Sequence, residues 1–176
     1  AQRFSHLRSI RMVGLDLDGT VFNKDKEITE PTRRALEEAI RQGVVVLPAT
    51  GRPRTGLPQA FLEIPGVRYA LTANGSRIVD LQTEEPIYQC LIPWERAQEI
   101  IEELEACPDG SWEAYFDGQC YVDRDKYVFV QHPDMTPAMV DYIRKSRIAV
   151  PKLKEYMREN QVGVEKLHMV FPDTGK

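Results

Sequence analysis

Short apolar runs alternate with helix-like stretches and polar turns in the first part of the chain. Residues 12–15 (MVGL) and 44–47 (VVVL) are brief, rich in β-formers and followed by turn residues, so they predict short strands buried in a sheet. Between them, apolar residues recur at helical spacing at Ala35, Leu36, Ala39 and Ile40. Strand, helix and strand in this order predict a right-handed βαβ unit with a parallel sheet.

Local signals mark where these elements begin and end. Thr29 with Pro31 predicts the helix start, and Gly43 predicts its end. A third unit follows, with a helix-like stretch near residues 57–62 and a strand at 69–72. The pattern thus predicts three strands that end on one edge of an α/β sheet.

The pattern changes after Gly75, where the predicted elements form a second module of α+β type with antiparallel pairing. Asp117-Gly118 is a strong signal for a tight hairpin. The other predicted elements are a hairpin over 77–80 and 86–91, a helix from Pro93 to about 107–108, strands at 111–116 and 119–123, helices from Thr136 to about Arg147 and from Pro151 through Asn160, and a last strand over 167–171. The resulting domain boundary divides the chain into residues 1–92 and 93–176.

Two acidic residues follow the first predicted strand directly, in the stretch Asp16-Leu17-Asp18-Gly19-Thr20. Because side chains alternate along a strand, Asp16 and Asp18 are expected to project the same way at a strand's carboxyl end, where open α/β sheets bind ligands. Thr50 and Asn74 follow the next two strands, so they are expected at the same edge. Helix N-termini expected after Gly19 and Gly51 would favour an anion, and phosphate is the natural ligand.

Composition narrows the possible partners and compartments. The chain has 176 residues, of which 42% are hydrophobic and 28% charged, and its formal net charge is −4. With no long basic run, nucleic acid is not an expected partner, and no apolar stretch is long enough for a membrane span. Three cysteines without C-x-x-C spacing fit a cytoplasmic protein. His6, His132 and His168 are scattered, which does not favour a metal site.

The second module contains carboxylates of the kind that bind calcium. Asp117, Asp123 and Asp125 supply carboxylates, but the D-x-D-x-D-G ladder and its closing Glu are missing. The sequence therefore does not favour calcium binding there.

Three short motifs together resemble a known family. Asp16-Leu17-Asp18-Gly19-Thr20, Thr50-Gly51-Arg52 and Asn74-Gly75, in this order and spacing, resemble the haloacid dehalogenase superfamily, most closely its Cof-type phosphatases of subclass IIB. The resemblance implies a Rossmann-like parallel-sheet core with an inserted α+β cap of the C2 type. Residues 1–92 would then belong to the core, and residues 93–176 would form the cap.

The resemblance also implies a role for each site residue. The residue matching Asp16 attacks phosphorus and becomes an aspartyl phosphate, and the residue matching Asp18 protonates the leaving oxygen and then deprotonates the attacking water. Thr50 and Gly51 would contact the phosphoryl group. Magnesium (Mg²⁺) would bind the Asp16 carboxylate and the Asp18 backbone carbonyl. Arg52 and Asn74 are equally explained as substrate contacts or as a surface cation and a turn residue.

The chain departs from the family in two motifs, a lysine that neutralises the phosphoaspartate and an acidic segment resembling G-D-x-x-N-D. Four lysines late in the chain all lie in the predicted cap: Lys152, Lys154, Lys166 and Lys176. The chain is therefore interpreted as the N-terminal part of a longer phosphatase. Such a part is expected to leave an unpaired sheet edge and exposed apolar side chains.

Three functions compete. The leading one is a Mg²⁺-dependent phosphatase acting on small phosphorylated metabolites such as sugar phosphates, with the oligomeric state undetermined. The second is a phosphate- or metabolite-binding module without turnover. The third is a phospho-accepting receiver domain, which is disfavoured because its third strand should be followed by Asp, where this chain has Asn74.

Overall fold

A computed structural model of the chain describes residues 10–23, 26–107, 110–127 and 135–171. His6, His132 and Lys176, together with the predicted helix end at 108, lie outside these ranges. The elements run in the order β1 (Met12–Leu15), α1 (Glu30–Arg41), β2 (Val45–Pro48), α2 (Gln59–Leu62), β3 (Tyr69–Thr72), β4 (Arg77–Asp80), β5 (Glu85–Gln89), α3 (Trp94–Glu105), β6 (Ser111–Phe116), β7 (Gln119–Asp123), α4 (Pro137–Ser146), β8 (Arg147–Val150), α5 (Leu153–Asn160) and β9 (Lys166–Val170).

The chain divides into two compact units. The first ends at Tyr88, and the second begins at Gln89 and also takes in Pro53–Gly56. Among the described residues, no helix combines the length and the apolarity that a bilayer crossing requires.

The predicted βαβ arrangement of the first unit is confirmed. Strands β1 and β2 are parallel. Helix α1 begins after Thr29, has proline in its first turn, and ends before Gly43, whose φ of 84° only glycine adopts readily. Its apolar face packs on a core of buried residues that includes Leu17, Val21, Phe22, Val46, Leu57, Phe61, Ile64, Ala70 and Val79.

The prediction that the first strand is buried was wrong. Met12 is 61% exposed and Ile10 is 43% exposed. Within the described part of the chain, β1 is hydrogen-bonded to β2 alone, so it is an edge strand with one open side. The unpaired edge and the exposed apolar side chains expected from the sequence are therefore present.

The third strand meets the second through only a short parallel connection. Ala49 and Leu71 form a single parallel bridge, and the Thr50 N–H donates to the Leu71 carbonyl at 3.0 Å. The ladder of β3 is instead antiparallel to β4, in a sheet of order β3-β4-β5. The prediction that β3 lies parallel to β2 and next to it is therefore right. Most of the hydrogen bonds of β3, however, are made with β4 on its opposite edge.

The second unit is built on a four-stranded sheet of order β8-β7-β6-β9. Asp117 and Gly118, at φ 49° and 70°, turn β6 into β7, which confirms the predicted hairpin. Helices α3 and α5 cover one face of this sheet, where the core cluster comprises Trp94, Ala97, Ile101, Trp112, Ala114, Phe116, Leu153, Met157 and Val164.

Strand β8 was not predicted, because the helix before it was expected to reach Arg147. The helix ends at Ser146, and residues 147–150 form a strand parallel to β7. Pairing in the second unit is therefore mixed, not only antiparallel as predicted. In the extended conformation Val150 packs against the core cluster. This stabilising contact is with residues distant in sequence, so local helix signals could not predict it.

Candidate active site

The two acidic residues lie on a turn that leaves the carboxyl end of β1. Leu17–Val21 forms one wide turn with Gly19 at φ 86°. Leu17 is fully buried, whereas Asp16 and Asp18 on either side of it are exposed. The buried leucine thus anchors the turn and leaves both carboxylates outside the core.

Asp18 is held by two cations. Arg52 binds it through two hydrogen bonds, from Nε to Oδ2 at 2.8 Å and from Nη2 to Oδ1 at 2.7 Å. Lys26 Nζ donates to Oδ1 at 2.8 Å. The Arg52 hydrogen bonds, with a further contribution from Lys26, lower the pKa of the Asp18 carboxyl to about 2. Asp18 is therefore ionised at neutral pH in this arrangement.

Arg52→Met should raise the pKa of Asp18 from about 2 toward 3.8, because the largest cause of its depression is removed. The pKa can be followed by the carboxyl ¹³C shift of Asp18 in an NMR titration. Arg34→Met is the matched control, since Arg34 pairs with Glu30 on the surface of α1 and should leave the Asp18 titration unchanged. An unaltered Asp18 pKa in the Arg52 variant would contradict the assigned pairing.

Thr50 is buried at the end of β2 and connects two loops. Its Oγ1 accepts a hydrogen bond from the Arg52 N–H at 3.2 Å, and its carbonyl accepts one from the Asn74 N–H at 3.1 Å. The Ala73 N–H in turn donates to the Arg52 carbonyl at 2.9 Å. The segments after β2 and β3 are thus tied together around Thr50.

The loop after β3 contains strained backbone. Ala73, Asn74 and Gly75 are consecutive residues with positive φ, at 48°, 60° and 98°. A buried alanine in the left-handed region is unusual, and such strain is concentrated at functional sites. The hydrogen bonds to Thr50 and Arg52 hold the loop in this conformation and leave the Asn74 side chain exposed.

Asp16 reaches the same edge of the sheet through strand register. Leu15 is paired with Pro48, and the Ala49 N–H donates to the Leu15 carbonyl at 2.8 Å. The Thr20 hydroxyl donates to Asp16 Oδ2 at 3.3 Å. The ends of β1, β2 and β3 therefore lie side by side, and Gly51 lies half-buried in the segment between Thr50 and Arg52.

The helix N-termini predicted after Gly19 and Gly51 are not present. The segment after Gly19 belongs to the single turn, and the nearest helical residues after Gly51 are one three-residue turn, Arg54–Gly56. Pro58, which follows that turn, prevents the helical residues from continuing into α2. Anion binding at this edge would depend on side chains and turn N–H groups.

Within the described ranges, no group of three or more His, Cys, Asp and Glu side chains is arranged to hold a metal ion. Asp123, considered above for calcium, instead accepts backbone hydrogen bonds from Asp125, Lys126 and Leu153.

Lys26 is the site residue that the sequence analysis missed. It lies in the charged loop before α1, eight residues after Asp18, and turns back through a φ of 62°. Nothing in the local sequence signals this contact beyond the charge itself, because the return of the loop depends on its backbone path.

A comparison with protein-family models places the site in context. Residues 13–175 match the model of the haloacid dehalogenase-like hydrolases. The chain belongs to this family. The receiver-domain alternative is therefore set aside.

Similar proteins of the haloacid dehalogenase-like hydrolase family include named phosphatases. The 5-amino-6-(5-phospho-D-ribitylamino)uracil phosphatase YcsE of Bacillus subtilis is 34% identical over 71 residues, which are 40% of this chain and 28% of that protein. A solved haloacid dehalogenase-like hydrolase from B. subtilis has a TM-score of 0.68 at 20% identity and covers 88% of this chain and 59% of its own. A solved sugar phosphatase of subclass IIB has a TM-score of 0.61 at 19% identity, covering 86% and 56%.

These likenesses confirm the predicted fold class, an α/β haloacid dehalogenase-like fold of the Cof-type group with a cap domain. The matched region spans only 28% to 43% of the length of the first curated relatives. The activities and substrates of those full-length proteins can therefore only be proposed for this chain.

Proposed function

We propose that this chain carries the nucleophile-bearing part of a Mg²⁺-dependent phosphatase that hydrolyses small phosphorylated metabolites, sugar phosphates among them, through an aspartyl phosphate. One observation carries the proposal: the acidic turn of β1 lies beside Thr50 at the end of β2, and Arg52 from the same segment binds Asp18 directly. Membership of a hydrolase family with named phosphatases supports it.

Asp16 is the proposed nucleophile. It is exposed at the strand end, and the Thr20 hydroxyl hydrogen-bonds to one carboxylate oxygen. That contact occupies one carboxylate oxygen, and the other is the proposed attacking atom on phosphorus. Attack forms the Asp16–phosphorus bond while the bond from phosphorus to the leaving oxygen breaks.

Asp18 is the proposed proton donor and acceptor. It is in the ionised form that a base needs in order to accept a proton from the water that cleaves the aspartyl phosphate, but with its pKa at about 2 it is a weak base. Its role as donor in the first step requires a higher pKa, and a phosphate dianion entering the site acts in that direction through like-charge repulsion.

Thr50, Gly51, Arg52 and Asn74 are proposed to bind the phosphoryl group and substrate. The Thr50 hydroxyl and the N–H groups of the turn are hydrogen-bond donors of the kind that phosphoryl oxygens accept. Arg52 is suited to the same task because a guanidinium fork matches phosphate as well as it matches carboxylate.

The residues fit a magnesium ion in part. Magnesium prefers few carboxylates and several waters, and the exposed Asp16 carboxylate with the Asp18 backbone carbonyl would supply two oxygen ligands. The Asp18 carboxylate is occupied by Arg52 and Lys26, which agrees with a backbone ligand at that position. When bound, the ion would screen the charge between carboxylate and phosphate.

A binding module without turnover is the second candidate. The two cations on Asp18 favour it, because a carboxylate held in this way is a poor proton donor. The cytoplasmic location inferred from composition remains a prediction in either case.

Chelation distinguishes the two. We expect phosphate release from p-nitrophenyl phosphate to fall by at least about a hundredfold in EDTA and to return with added Mg²⁺, because charge screening at a phosphoryl group contributes several kcal/mol. Calcium instead of magnesium is the control for specific rescue. Release that is unaffected by EDTA contradicts the phosphatase proposal, and phosphate binding without release supports the binding module.

A further inference from the structure

The face of the second-unit sheet opposite α3 and α5 carries a polar cluster that the proposed phosphatase chemistry does not use. Strand register sets its members opposite one another: Glu113 faces His168, Tyr115 faces both Lys166 and Cys120, and Cys120 faces Arg147. Directly paired residues project to the same face of a sheet. The register thus collects several charged side chains on one surface, named here the polar face.

Glu113 is the centre of the polar face. It is 1% exposed, and Arg147 donates two hydrogen bonds to it, from Nε at 3.0 Å and from Nη2 at 2.9 Å. The hydroxyls of Tyr127 and Tyr115 donate at 3.0 and 3.1 Å. Burial opposes ionisation, yet the hydrogen bonds from His168, Arg147 and Tyr127 hold the pKa of Glu113 well below its usual range. The carboxylate is therefore ionised, and Arg147 balances its charge.

His168 is oriented by this carboxylate. Its Nδ1 lies 3.3 Å from Glu113 Oε2, while 46% of its side chain is exposed. A hydrogen bond from Nδ1–H to the carboxylate fixes the ring and leaves Nε2 for another partner. Nε2 can donate to an oxyanion when the ring is protonated, or accept from its P–OH group when the ring is neutral.

Lys166 lies on the same side of β9, two residues before His168. Its ammonium lies 4.3 Å from the centroid of the Tyr115 ring, and burial lowers its pKa. Residues two apart on a strand are separated by about 6.6 Å, a span that a phosphate group can bridge. An anion bound nearby would stabilise the charged form of this partly desolvated ammonium.

We propose that His168 and Lys166 form a binding site for a phosphate-type oxyanion on the polar face, with Glu113 as the positioning residue of His168. The ligand is inorganic phosphate or the phosphoryl group of a monoester, since both present the same tetrahedral oxygens. The site goes beyond the proposed function and requires neither Asp16 nor Asp18.

The test is an NMR titration of the full chain in EDTA, observing the imidazole nitrogens. One arm uses inorganic phosphate and the other glucose 6-phosphate, with sodium chloride at equal ionic strength as the blank. His168→Gln assigns the His168 signals among the three histidines. We expect a saturable shift of His168 Nε2 in one or both phosphate arms, and the arm with the tighter binding identifies the ligand.

Variants of Lys166 test the second contact. Lys166→Met should weaken binding about tenfold, because it removes one charge-assisted hydrogen bond, and Lys166→Arg should restore most of it. Lys145→Met is the matched control, since Lys145 pairs with Asp141 on exposed α4 and should not change the titration. An equal shift in the chloride blank, or an unchanged affinity in Lys166→Met, would overturn the site.

Two further measurements distinguish this site from a site at the acidic turn and test the role of Glu113. The neutral ring should show the Nδ1–H tautomer, and the Nε2–H tautomer would refute the positioning by Glu113. In Asp16→Asn, the His168 response should persist. If the His168 response were lost in this variant, the anion would bind at the acidic turn instead. If the response persisted in a chain without phosphatase activity, the site on the polar face would be supported independently of the proposed function.

Discussion

Asp16→Asn should lower phosphate release from p-nitrophenyl phosphate by at least about a thousandfold, because an amide oxygen cannot form the covalent phosphoryl intermediate. The variant should keep the fold. Asp16 is exposed, and it accepts a 3.3 Å hydrogen bond from the Thr20 hydroxyl, which an amide oxygen can also accept. The measurement is steady-state phosphate release at saturating Mg²⁺, with circular dichroism to check folding.

Asp141→Asn is the control for this substitution. It makes the same chemical change at an exposed carboxylate of α4 that pairs with Lys145, and it should leave release unchanged. If the Asp16 variant retained a tenth of the activity or more, Asp16 would not be the nucleophile, and the acidic turn would need another role.

The second large effect concerns stability. Arg147→Met should destabilise the second unit by about 3–5 kcal/mol, because it leaves the charge of Glu113 buried without its main partner. Trp94 and Trp112 are the chain's two tryptophans, and both belong to the core cluster of this unit. Urea unfolding followed by tryptophan fluorescence therefore reports the second unit selectively.

A double variant decides whether the loss comes from the unpaired charge. Arg147→Met combined with Glu113→Met should recover most of the lost stability, since replacing both members of a buried ion pair by apolar groups is close to neutral. Arg96→Met is the surface control, because Arg96 pairs with Glu99 on the exposed side of α3 and its loss should cost less than about 1 kcal/mol. Additive losses in the double variant would contradict the pairing argument.

Local signals predicted the elements whose causes are local. The Asp117-Gly118 turn requires positive φ at both residues, and sequence alone favours that hairpin. Thr29, Pro31 and Gly43 likewise bound α1 where the structure has it. The apolar run 12–15 placed Asp16 and Asp18 at a strand end for the same reason, since a strand followed by a Gly-containing turn is a short-range pattern.

The features that sequence reasoning missed depend on distant partners. Strand β8 forms because β7 is beside it, although its residues follow a helix without a break. Lys26 reaches Asp18 only because its loop turns back. The helical segment after Gly51 is only three residues long because a proline can end a helix as well as begin one. The exposed β1 could not be told from a buried strand, because an apolar run does not reveal how many neighbours it has.

The open side of β1 has a consequence for handling the chain. Among the described residues β1 pairs along one side only, and a strand edge of this kind with a protruding methionine is a template on which another extended segment can assemble. Solutions of this chain should consequently scatter light increasingly with concentration, and a charged side chain introduced at the position of Met12 would act as a gatekeeper against that growth.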